Sequence, residues 1–276
     1  MLLKFTKMHG LGNDFVIVDA ITRKAYFNKN MIAKLGDRHL GIGFDQLLVV
    51  EPPSNPDMDF RYRIFNTDGT EVEHCGNGAR CFARFVKEKA LTSKSIINVE
   101  TQNRNLQLRI LDDGDVTVDM GVPSFLPADL PFTVTETNDS YLIPIDGRNY
   151  EIIPVSVGNP HAVHLVDNLT DDYVKTIGAA IENHTLFPNN VNVGFLSILE
   201  RTEINLRVYE RGVGETQACG TGACAAVVAG IKQGWLDNEV NVNLLGGKLK
   251  IEWQGEGSPI LMTGPAKKVF DGQIYL

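Results

Sequence analysis

One five-residue motif, C-G-x-G-A, occurs twice in the chain: as Cys75-Gly76-Asn77-Gly78-Ala79 and as Cys219-Gly220-Thr221-Gly222-Ala223. Each copy runs directly into an apolar stretch that is typical of a helix, so each cysteine is expected just ahead of a helix N-terminus. The first backbone N–H groups of a helix have no acceptor within it and carry the positive end of its dipole. This setting lowers a thiol pKa and makes the thiol a usable base, while the glycines let backbone amides approach a bound anion. Two copies indicate one site with a cysteine on either side of it.

The two motifs belong to a longer internal repeat. The cysteines are 144 positions apart (219 minus 75), and the same offset aligns Arg63-Ile64-Phe65 with Arg207-Val208-Tyr209. An offset of 146 aligns Gly12-Asn13 with Gly158-Asn159 and Gln46 with Asn192. The repeat loses its symmetry where Asn66-Thr67 corresponds to Glu210-Arg211. We therefore expect two halves of similar structure.

The helix that follows the second motif determines the expected fold class. It is apolar on nearly every side from Ala223 to Ile231, so it should be buried all round and wrapped by strands. The predicted fold is α+β, with two pseudo-symmetric halves, each a curved β-sheet or barrel around a central helix, and an active site in the cleft between them. A proline-bearing connector marks the boundary. The predicted halves are residues 1–121 and 122–264, with the tail 265–276 returning to the first.

The composition excludes several classes of protein. The chain has 276 residues, and 26 Lys+Arg against 34 Asp+Glu give a net charge of −8, which argues against a nucleic-acid partner. No apolar run is long enough for a membrane span, and the first ten residues lack the features of a secretion signal, so we expect a cytoplasmic protein. Four cysteines are too few for a disulfide scaffold in a chain of this length. Reduced thiols are therefore expected.

Two thiols on opposite sides of a small substrate suit inversion at a carbon that bears an acidic hydrogen. One thiolate removes the proton from one face, and the opposite thiol delivers a proton to the other face. Helix N-termini directed at the neighbouring carboxylate would stabilise the charge that develops there. This scheme needs no pyridoxal lysine, and no such motif is evident in the sequence.

Other interpretations of the cysteines fit less well. Cys81 and Cys224 lie inside the predicted helices and are interpreted as small buried hydrophobic residues. The spacings from Cys75 to Cys81 and from Cys219 to Cys224 differ from those of structural zinc ligands, and no C-x-x-C redox motif occurs. No metal site is predicted.

Several polar residues in glycine-rich settings are candidates for substrate binding, although each alone is also an ordinary turn residue. They are Asn13, Gln46, Asn66, Asn159 and Asn192. Where the repeat loses its symmetry, Glu210 and Arg211 suit a substrate amine and a second carboxylate, or form an ordinary surface pair. His161 either adjusts a thiol or caps a strand.

These residues and their neighbours resemble one known family, the diaminopimelate epimerases. The resemblance rests on six segments, which are His9-Gly10-Leu11-Gly12-Asn13-Asp14-Phe15, Gly43-Phe44-Asp45-Gln46, Phe65-Asn66-Thr67-Asp68-Gly69, Cys75-Gly76-Asn77-Gly78-Ala79-Arg80-Cys81, Gly158-Asn159-Pro160-His161 and the run from Glu210 to Gly222. It extends from Phe5 to Gly264-Pro265-Ala266, nearly the whole chain. The resemblance implies a cofactor-independent interconversion of LL- and meso-diaminopimelate, on the bacterial route to lysine and peptidoglycan.

The resemblance also implies a role for each site residue. Cys75 and Cys219 would be the acid and base, and backbone amides would hold the reacting carboxylate at Gly76, Asn77, Gly220 and Thr221. Glu210 and the Arg211 carbonyl would bind the reacting amine. The far end of the substrate would be bound by Asn66, Asn159, Asn192 and Arg211, with Asn13 and Gln46 beside them. His161 and Glu210 would adjust thiol acidity, and a cytoplasmic homodimer would use Phe270, where members of the family commonly carry tyrosine.

Two alternatives remain open on the residues alone. Another cofactor-independent racemase of the same fold could act on proline or hydroxyproline, although Arg211 and the asparagines favour a substrate with a second charged end. A thiol-based metal or redox binding protein is the alternative from a different class.

Overall fold

A computed structural model describes residues 2–72 and 75–276 of the chain. The chain folds into two units. The N-terminal unit comprises Met1–Asp119 with Thr263–Leu276, and the C-terminal unit comprises Met120–Met262.

The N-terminal unit contains a sheet and two helices. In chain order its elements are β1 (Leu2–Gly10), β2 (Asn13–Asp19), α1 (Lys29–Gly36), β3 (Gln46–Glu51), β4 (Phe60–Asn66), β5 (Glu71–Val72), α2 (Gly76–Glu88), β6 (Ile96–Glu100), β7 (Asn105–Ile110) and β8 (Val116–Asp119). The C-terminal unit contains a 3-10 helix (Pro127–Asp129), β9 (Tyr141–Ile145), β10 (Arg148–Ser156), β11 (Pro160–Leu165), α3 (Asp171–Glu182), β12 (Asn192–Glu200), β13 (Glu203–Glu210), β14 (Gly214–Thr216), α4 (Gly220–Lys232), β15 (Glu239–Leu244) and β16 (Gly247–Glu252). β17 (Leu261–Gly264) leads to the last strand, β18 (Lys267–Tyr275).

Strand pairing follows the same steps in both units. In the first, β1 and β2 are antiparallel, β2 and β3 parallel, β3 and β4 antiparallel, β4 and β6 parallel, and β6 and β7 antiparallel. In the second, the same five relations hold for β10–β11, β11–β12, β12–β13, β13–β15 and β15–β16. α1 and α3 each connect a parallel pair, as parallel strands require. The prediction of an α+β fold with two similar halves is confirmed.

The register of the strands reproduces the sequence repeat. Phe15 lies opposite Gln46 in the parallel pair β2–β3, and His161 lies opposite Asn192 in β11–β12. Both residues of the second pair follow those of the first by 146 positions. The repeat therefore places His161 where the first unit has Phe15.

The two motif helices occupy the centres of their units. α2 packs against β1, β2, β3, β7 and β8, and α4 packs against β10, β11, β12, β13 and β16. Every residue of α4 from Gly222 to Gly230 is buried, as the sequence predicted. The remaining two helices lie against strands of their own units, α1 against β3 and α3 against β12, β13 and β14. Their N-termini are capped by Asn28 in α1 and by Thr170 in α3.

The second glycine of each motif is required by close packing between helix and strand. A Cβ atom on Gly78 would lie 2.5 Å from the Tyr62 hydroxyl oxygen, and one on Gly222 would lie 2.9 Å from Val208 Cγ2. Both Tyr62 and Val208 are buried strand residues with little room to move. The glycines thus bring each cysteine-bearing helix start against its sheet.

Replacement of Gly222 by alanine should therefore destabilise the protein. Forcing a methyl group into this packed contact should lower the free energy of unfolding by about 1–3 kcal/mol, measured by urea denaturation. The matched control is Gly194→Ala in β12, where a Cβ atom would meet only Leu206 Cδ1, at an ordinary 3.6 Å. Equal stabilities for the two variants would contradict the packing argument.

Candidate active site

Cys75 lies at the start of the central helix of the N-terminal unit. It is the N-cap residue of α2, with an extended backbone (φ −140°, ψ 119°) and a partly exposed side chain. Its carbonyl oxygen accepts hydrogen bonds from the Ala79 amide at 2.8 Å and from the Tyr62 hydroxyl at 3.4 Å. The predicted position of this thiol ahead of a helix N-terminus is thus what the structure has.

The side-chain amide of Asn13 contacts the same helix start. Its Oδ1 accepts from the Cys75 thiol at 3.7 Å and from Asn77 Nδ2 at 3.3 Å, while its Nδ2 donates to Asp45 Oδ2 at 2.9 Å. Because an ionised carboxylate only accepts hydrogen bonds, Asp45 requires the amino group of Asn13 on its side. The carbonyl oxygen of Asn13 is therefore directed at Cys75.

An ion cluster holds Asp45 in place. Arg38 bonds Asp45 Oδ1 at 2.7 Å and also bonds Asp14, to which Lys7 donates as well. Burial alone would raise the pKa of Asp14, but the hydrogen bonds from Arg38 and Lys7 outweigh it and hold this pKa well below its usual value. No role was predicted for Asp45, although it is the neighbour of Gln46 in the sequence.

Gln46 and Asn66 form a second polar pair in this unit. They lie opposite each other in β3 and β4, and Gln46 Nε2 donates to Asn66 Oδ1 at 3.0 Å. Asn66 Nδ2 donates in turn to Thr70 Oγ1 at 3.3 Å. Within the described part of the chain, the buried Oε1 of Gln46 has no hydrogen-bond partner. This oxygen could accept from a bound amine or hydroxyl.

Arg80 was not predicted as a site residue, yet it supports the first motif. Its fully buried side chain donates to Asn77 Oδ1 at 3.0 Å and to the Pro265 carbonyl at 3.2 Å. One signal in the sequence could have revealed it: at the offset of 144 this charged residue corresponds to Cys224. The neighbouring Cys81 is fully buried, and burial raises the pKa of its thiol to about 12. This fits its interpretation as a small hydrophobic residue.

Cys219 has the same backbone position in the C-terminal unit. It is the N-cap residue of α4 (φ −111°, ψ 110°), and its carbonyl accepts from the Ala223 amide at 3.0 Å. Its sulfur lies 3.5 Å from Thr221 Oγ1.

The expectation that this helix start lowers the thiol pKa is wrong for Cys219. Burial raises the pKa of Cys219 well above its usual value, and the negative charge of Glu210 raises it further. Hydrogen bonds from the Thr221 hydroxyl and the Gly222 amide act in the opposite direction but are outweighed. The residue is only 5% exposed, so the loss of hydration dominates.

A chain of polar contacts leads from His161 to Cys219. His161 Nε2 lies 3.1 Å from Asn159 Oδ1, and Asn159 Nδ2 donates to Thr221 Oγ1 at 3.3 Å, next to the sulfur. Asn159 is the repeat equivalent of Asn13, but it presents its amino group to the helix start where Asn13 presents its carbonyl. The two equivalent amides therefore give the two thiols different surroundings.

His161 is buried and uncharged. Burial, together with the Arg211 cation, lowers its pKa to about 3. It lies within β11 rather than at a strand cap, and the Asn159 contact implies that Nε2 carries the proton, since Asn159 presents an acceptor. Within the described residues, Nδ1 has no hydrogen-bond partner.

Arg211 and Asn192 form a further group. Asn192 Oδ1 accepts from the Arg211 backbone amide at 3.0 Å, and its Nδ2 donates to the Pro160 carbonyl at 2.9 Å. The exposed Arg211 guanidinium donates to the Asn189 carbonyl at 3.3 Å, and Thr216 donates to the Glu210 carboxylate. In this structure Asn192 holds the backbone that carries Arg211.

Phe270 lies outside these groups. It belongs to β18, its side chain is 46% exposed, and its ring meets that of Phe5 edge-on, with centroids 5.9 Å apart. Among the described residues, no three His, Cys, Asp or Glu side chains are grouped to hold a metal ion. In the same part of the chain, no helix combines the length and apolar character needed to span a membrane.

Comparison with known proteins gives one consistent family. The family model described as "Diaminopimelate epimerase" matches residues 5–126 and 153–269. Two relatives of that name, from Teredinibacter turnerae and Ectopseudomonas mendocina, are 59% and 57% identical over 276 residues, with complete coverage of both chains.

Solved structures with far lower identity share the fold. A phenazine biosynthesis protein of the PhzF family from Bacillus anthracis has a TM-score of 0.70 at 18% identity and full coverage of both chains. A hydroxyproline epimerase from Agrobacterium vitis has a TM-score of 0.71 at 14% identity, covering 99% of this chain and 92% of that one.

His161→Phe should reduce the loss of stability in acid. The unfolded chain protonates this histidine below about pH 6.5, whereas the folded protein does so only near its lowered pKa of about 3, so wild-type stability falls as the pH drops through this window. The variant, which carries the residue found at the repeat-equivalent Phe15, should lose about 2 kcal/mol less between pH 8 and pH 5 in urea titrations. The exposed His39→Gln serves as control and should keep the wild-type dependence. If His161→Phe and wild type lose stability equally, His161 is not buried in neutral form.

Proposed function

Because the chain belongs to the diaminopimelate epimerase family and is thus an amino-acid epimerase, we propose that it interconverts LL- and meso-diaminopimelate without a cofactor. This reaction would serve the bacterial route to lysine and peptidoglycan. The support is the full-length similarity to relatives of that name and the matched positions of Cys75 and Cys219 as N-cap residues of the two central helices.

One observation carries the mechanism: two equivalent cysteines each stand as N-cap residue of a buried central helix. In the proposed reaction one sulfur, as thiolate, takes the proton from the substrate α-carbon, so that a C–H bond breaks and an S–H bond forms. The other sulfur, as thiol, gives its proton to the opposite face of that carbon. The configuration inverts, and the protonation states of the two cysteines are exchanged.

The charge that develops during this step needs stabilisation, because a hydrogen beside a carboxylate is only weakly acidic. The backbone amides of Gly76, Asn77, Gly220 and Thr221 stand at the two helix starts. Amides at a helix N-terminus are suited to hold a carboxylate and its developing negative charge. We assign the reacting carboxylate to these four amides.

The raised pKa of Cys219 indicates that this residue begins the proposed reaction as a protonated thiol. Since burial and Glu210 keep its proton on the sulfur at neutral pH, Cys219 can act as the proton donor when Cys75 is the base. The contacts from His161 through Asn159 to Thr221 and the charge of Glu210 are the means by which the C-terminal unit would adjust this thiol.

The remaining polar residues are assigned to the rest of the substrate. Glu210 and the Arg211 carbonyl would bind the reacting amine, and Gln46 Oε1, which has no partner among the residues that the structure describes, offers a further acceptor. The far carboxylate and amine would be bound by the Arg211 guanidinium and by the side-chain amides of Asn13, Asn66, Asn159 and Asn192. Because Asn192 already holds the Arg211 backbone, it would act partly by positioning that residue.

We further propose a cytoplasmic homodimer with Phe270 at its interface. The support is the row of exposed apolar side chains in and beside β18, at Val269, Phe270, Tyr275 and Leu276. Sedimentation of the purified protein at a mass of one chain would contradict the dimer.

Incubation with LL-diaminopimelate in deuterated water tests the proposed reaction. Deuterium should enter at the α-carbon as the meso isomer appears, detected by mass spectrometry and chiral chromatography without added pyridoxal phosphate or metal. L-Proline is the comparison substrate, because it lacks a second charged end and should not exchange. Turnover of proline alone would assign the chain to another racemase. Bound zinc with no exchange on either compound would favour a thiol-based binding protein.

The two-base scheme predicts that Cys75→Ala and Cys219→Ala both lose epimerase activity, by about a hundredfold or more, because each removes one of the two proton-transfer groups. Cys81→Ala and Cys224→Ala are matched controls within the same helices and should retain most activity. Circular dichroism checks that all four variants fold. Normal turnover in either Cys75→Ala or Cys219→Ala would rule out a mechanism with two thiols.

A further inference from the structure

A tight turn presents Glu210 and Arg211. The Val213 amide donates to the Glu210 carbonyl at 3.0 Å, which closes a four-residue turn over Glu210, Arg211, Gly212 and Val213. Gly212 stands at its third position with φ +73°, a conformation that glycine adopts without strain. The orientation of Arg211 thus depends on how this turn is held, whereas Glu210 is the last residue of β13 and is also held by the Thr216 hydroxyl.

Two buried side chains bind the central amides of the turn. The Arg211 amide donates to Asn192 Oδ1 at 3.0 Å, and the Gly212 amide donates to Glu182 Oε1 at 2.6 Å. Asn192 is the first residue of β12, and Glu182 is the last residue of α3. The turn is therefore attached to two different elements of the same unit.

Glu182 is an unusual residue for its position. The residue is only 6% exposed, and within the described part of the chain its other carboxylate oxygen accepts one long bond, of 3.4 Å, from Asn183 Nδ2. Among the described residues, no lysine or arginine forms an ion pair with it. A buried carboxylate is costly unless it is hydrogen-bonded, and negative charge is unfavourable at a helix C-terminus. Neither contact with water nor the helix dipole therefore stabilises this carboxylate. The hydrogen bond that it accepts from the Gly212 amide does stabilise it.

The sequence repeat shows that the fold itself does not require a carboxylate at this position. At the offset of 146, Glu182 corresponds to Gly36, the last residue of α1. A Cβ atom on Gly36 would lie 2.9 Å from Thr67 Cγ2, so the first unit has no room for a side chain there. The carboxylate occurs only in the unit whose turn carries Glu210 and Arg211 in place of Asn66 and Thr67.

We propose that Glu182 is a positioning residue that fixes the Glu210–Val213 turn and thereby sets how Arg211 meets the far, charged end of the substrate. The inference rests on the proposed function for the role of Arg211. Glu182 would thus favour a substrate with a second carboxylate without touching the substrate itself.

Two variants of nearly equal size test the role of the carboxylate oxygen. Glu182→Gln keeps an oxygen that accepts from Gly212, and Glu182→Met lacks it. Loss of a hydrogen bond to a charged group should raise the KM for LL-diaminopimelate about tenfold in Glu182→Met, with kcat nearly unchanged, and Glu182→Gln should stay within about twofold of wild type. Equal KM values for the two variants would overturn the proposal, as would a loss confined to kcat.

A double-mutant cycle shows whether Glu182 acts through Arg211. Arg211→Ala alone should raise KM, and adding Glu182→Met to it should raise KM no further. Multiplication of the two effects would mean that Glu182 acts by another route. Asn183→Ala is the matched control, because it removes the other contact of Glu182 and leaves the Gly212 bond; its KM should equal that of wild type.

Hydrogen exchange provides a readout that needs no substrate. A peptide spanning residues 210–214 should exchange its amides faster in Glu182→Met than in wild type or Glu182→Gln, because the Gly212 amide loses its acceptor. Unchanged exchange would refute the positioning role. If exchange rises as expected while wild type fails to turn over diaminopimelate, the proposed substrate is wrong and the structural role of Glu182 stands.

Discussion

The structure depends on one constraint: the first amides of two central helices are buried and need acceptors. A helix start cannot satisfy its own N–H groups, and in α4 even Gly220 and Gly222 are buried. The Cys219 sulfur stands beside this helix start, 3.5 Å from Thr221 Oγ1. Glycine at position 222 brings the helix close to Val208. Fold and site thus have a single cause, because the packing that buries the helix also aligns its amides beside a sulfur.

The duplicated architecture gives the two sulfurs the same backbone position but different electrostatic surroundings. Asn13, fixed by Asp45, directs a carbonyl oxygen at Cys75, whereas Asn159 directs an amino group towards Thr221 beside Cys219. A reaction that moves a proton from one face of a carbon to the other needs one donor and one acceptor at a time. In the proposed reaction, small side-chain differences within a common frame would supply one donor and one acceptor without altering the sheets.

Much of this could be predicted from the sequence, because the repeat constrains distant segments together. The offset of 146 predicted that equivalent residues pair in the two sheets: Phe15 lies opposite Gln46, and His161 lies opposite Asn192. β9 has a weak sequence signal, because Pro144 interrupts its apolar alternation and proline is tolerated in a strand only where no N–H donor is needed. The pKa of Cys219 was predicted in the wrong direction, because the sequence shows the helix start but not how completely the sulfur is buried. The sequence around Glu182 does not indicate its role. Glu182 is distinguished only by comparison with Gly36, the equivalent position in the first half of the repeat.

The pairing of the first strand with the last has a consequence for synthesis. β1 bonds to β2 on one side and to β18 on the other, with Leu2 opposite Tyr275. While the chain is still emerging from the ribosome, one edge of β1 therefore stays open until β18 has been synthesised. The C-terminal unit is complete at Met262, before that final partner exists. The unit made first should thus be the last to finish folding, and its exposed edge is the part of the nascent protein most in need of protection from aggregation.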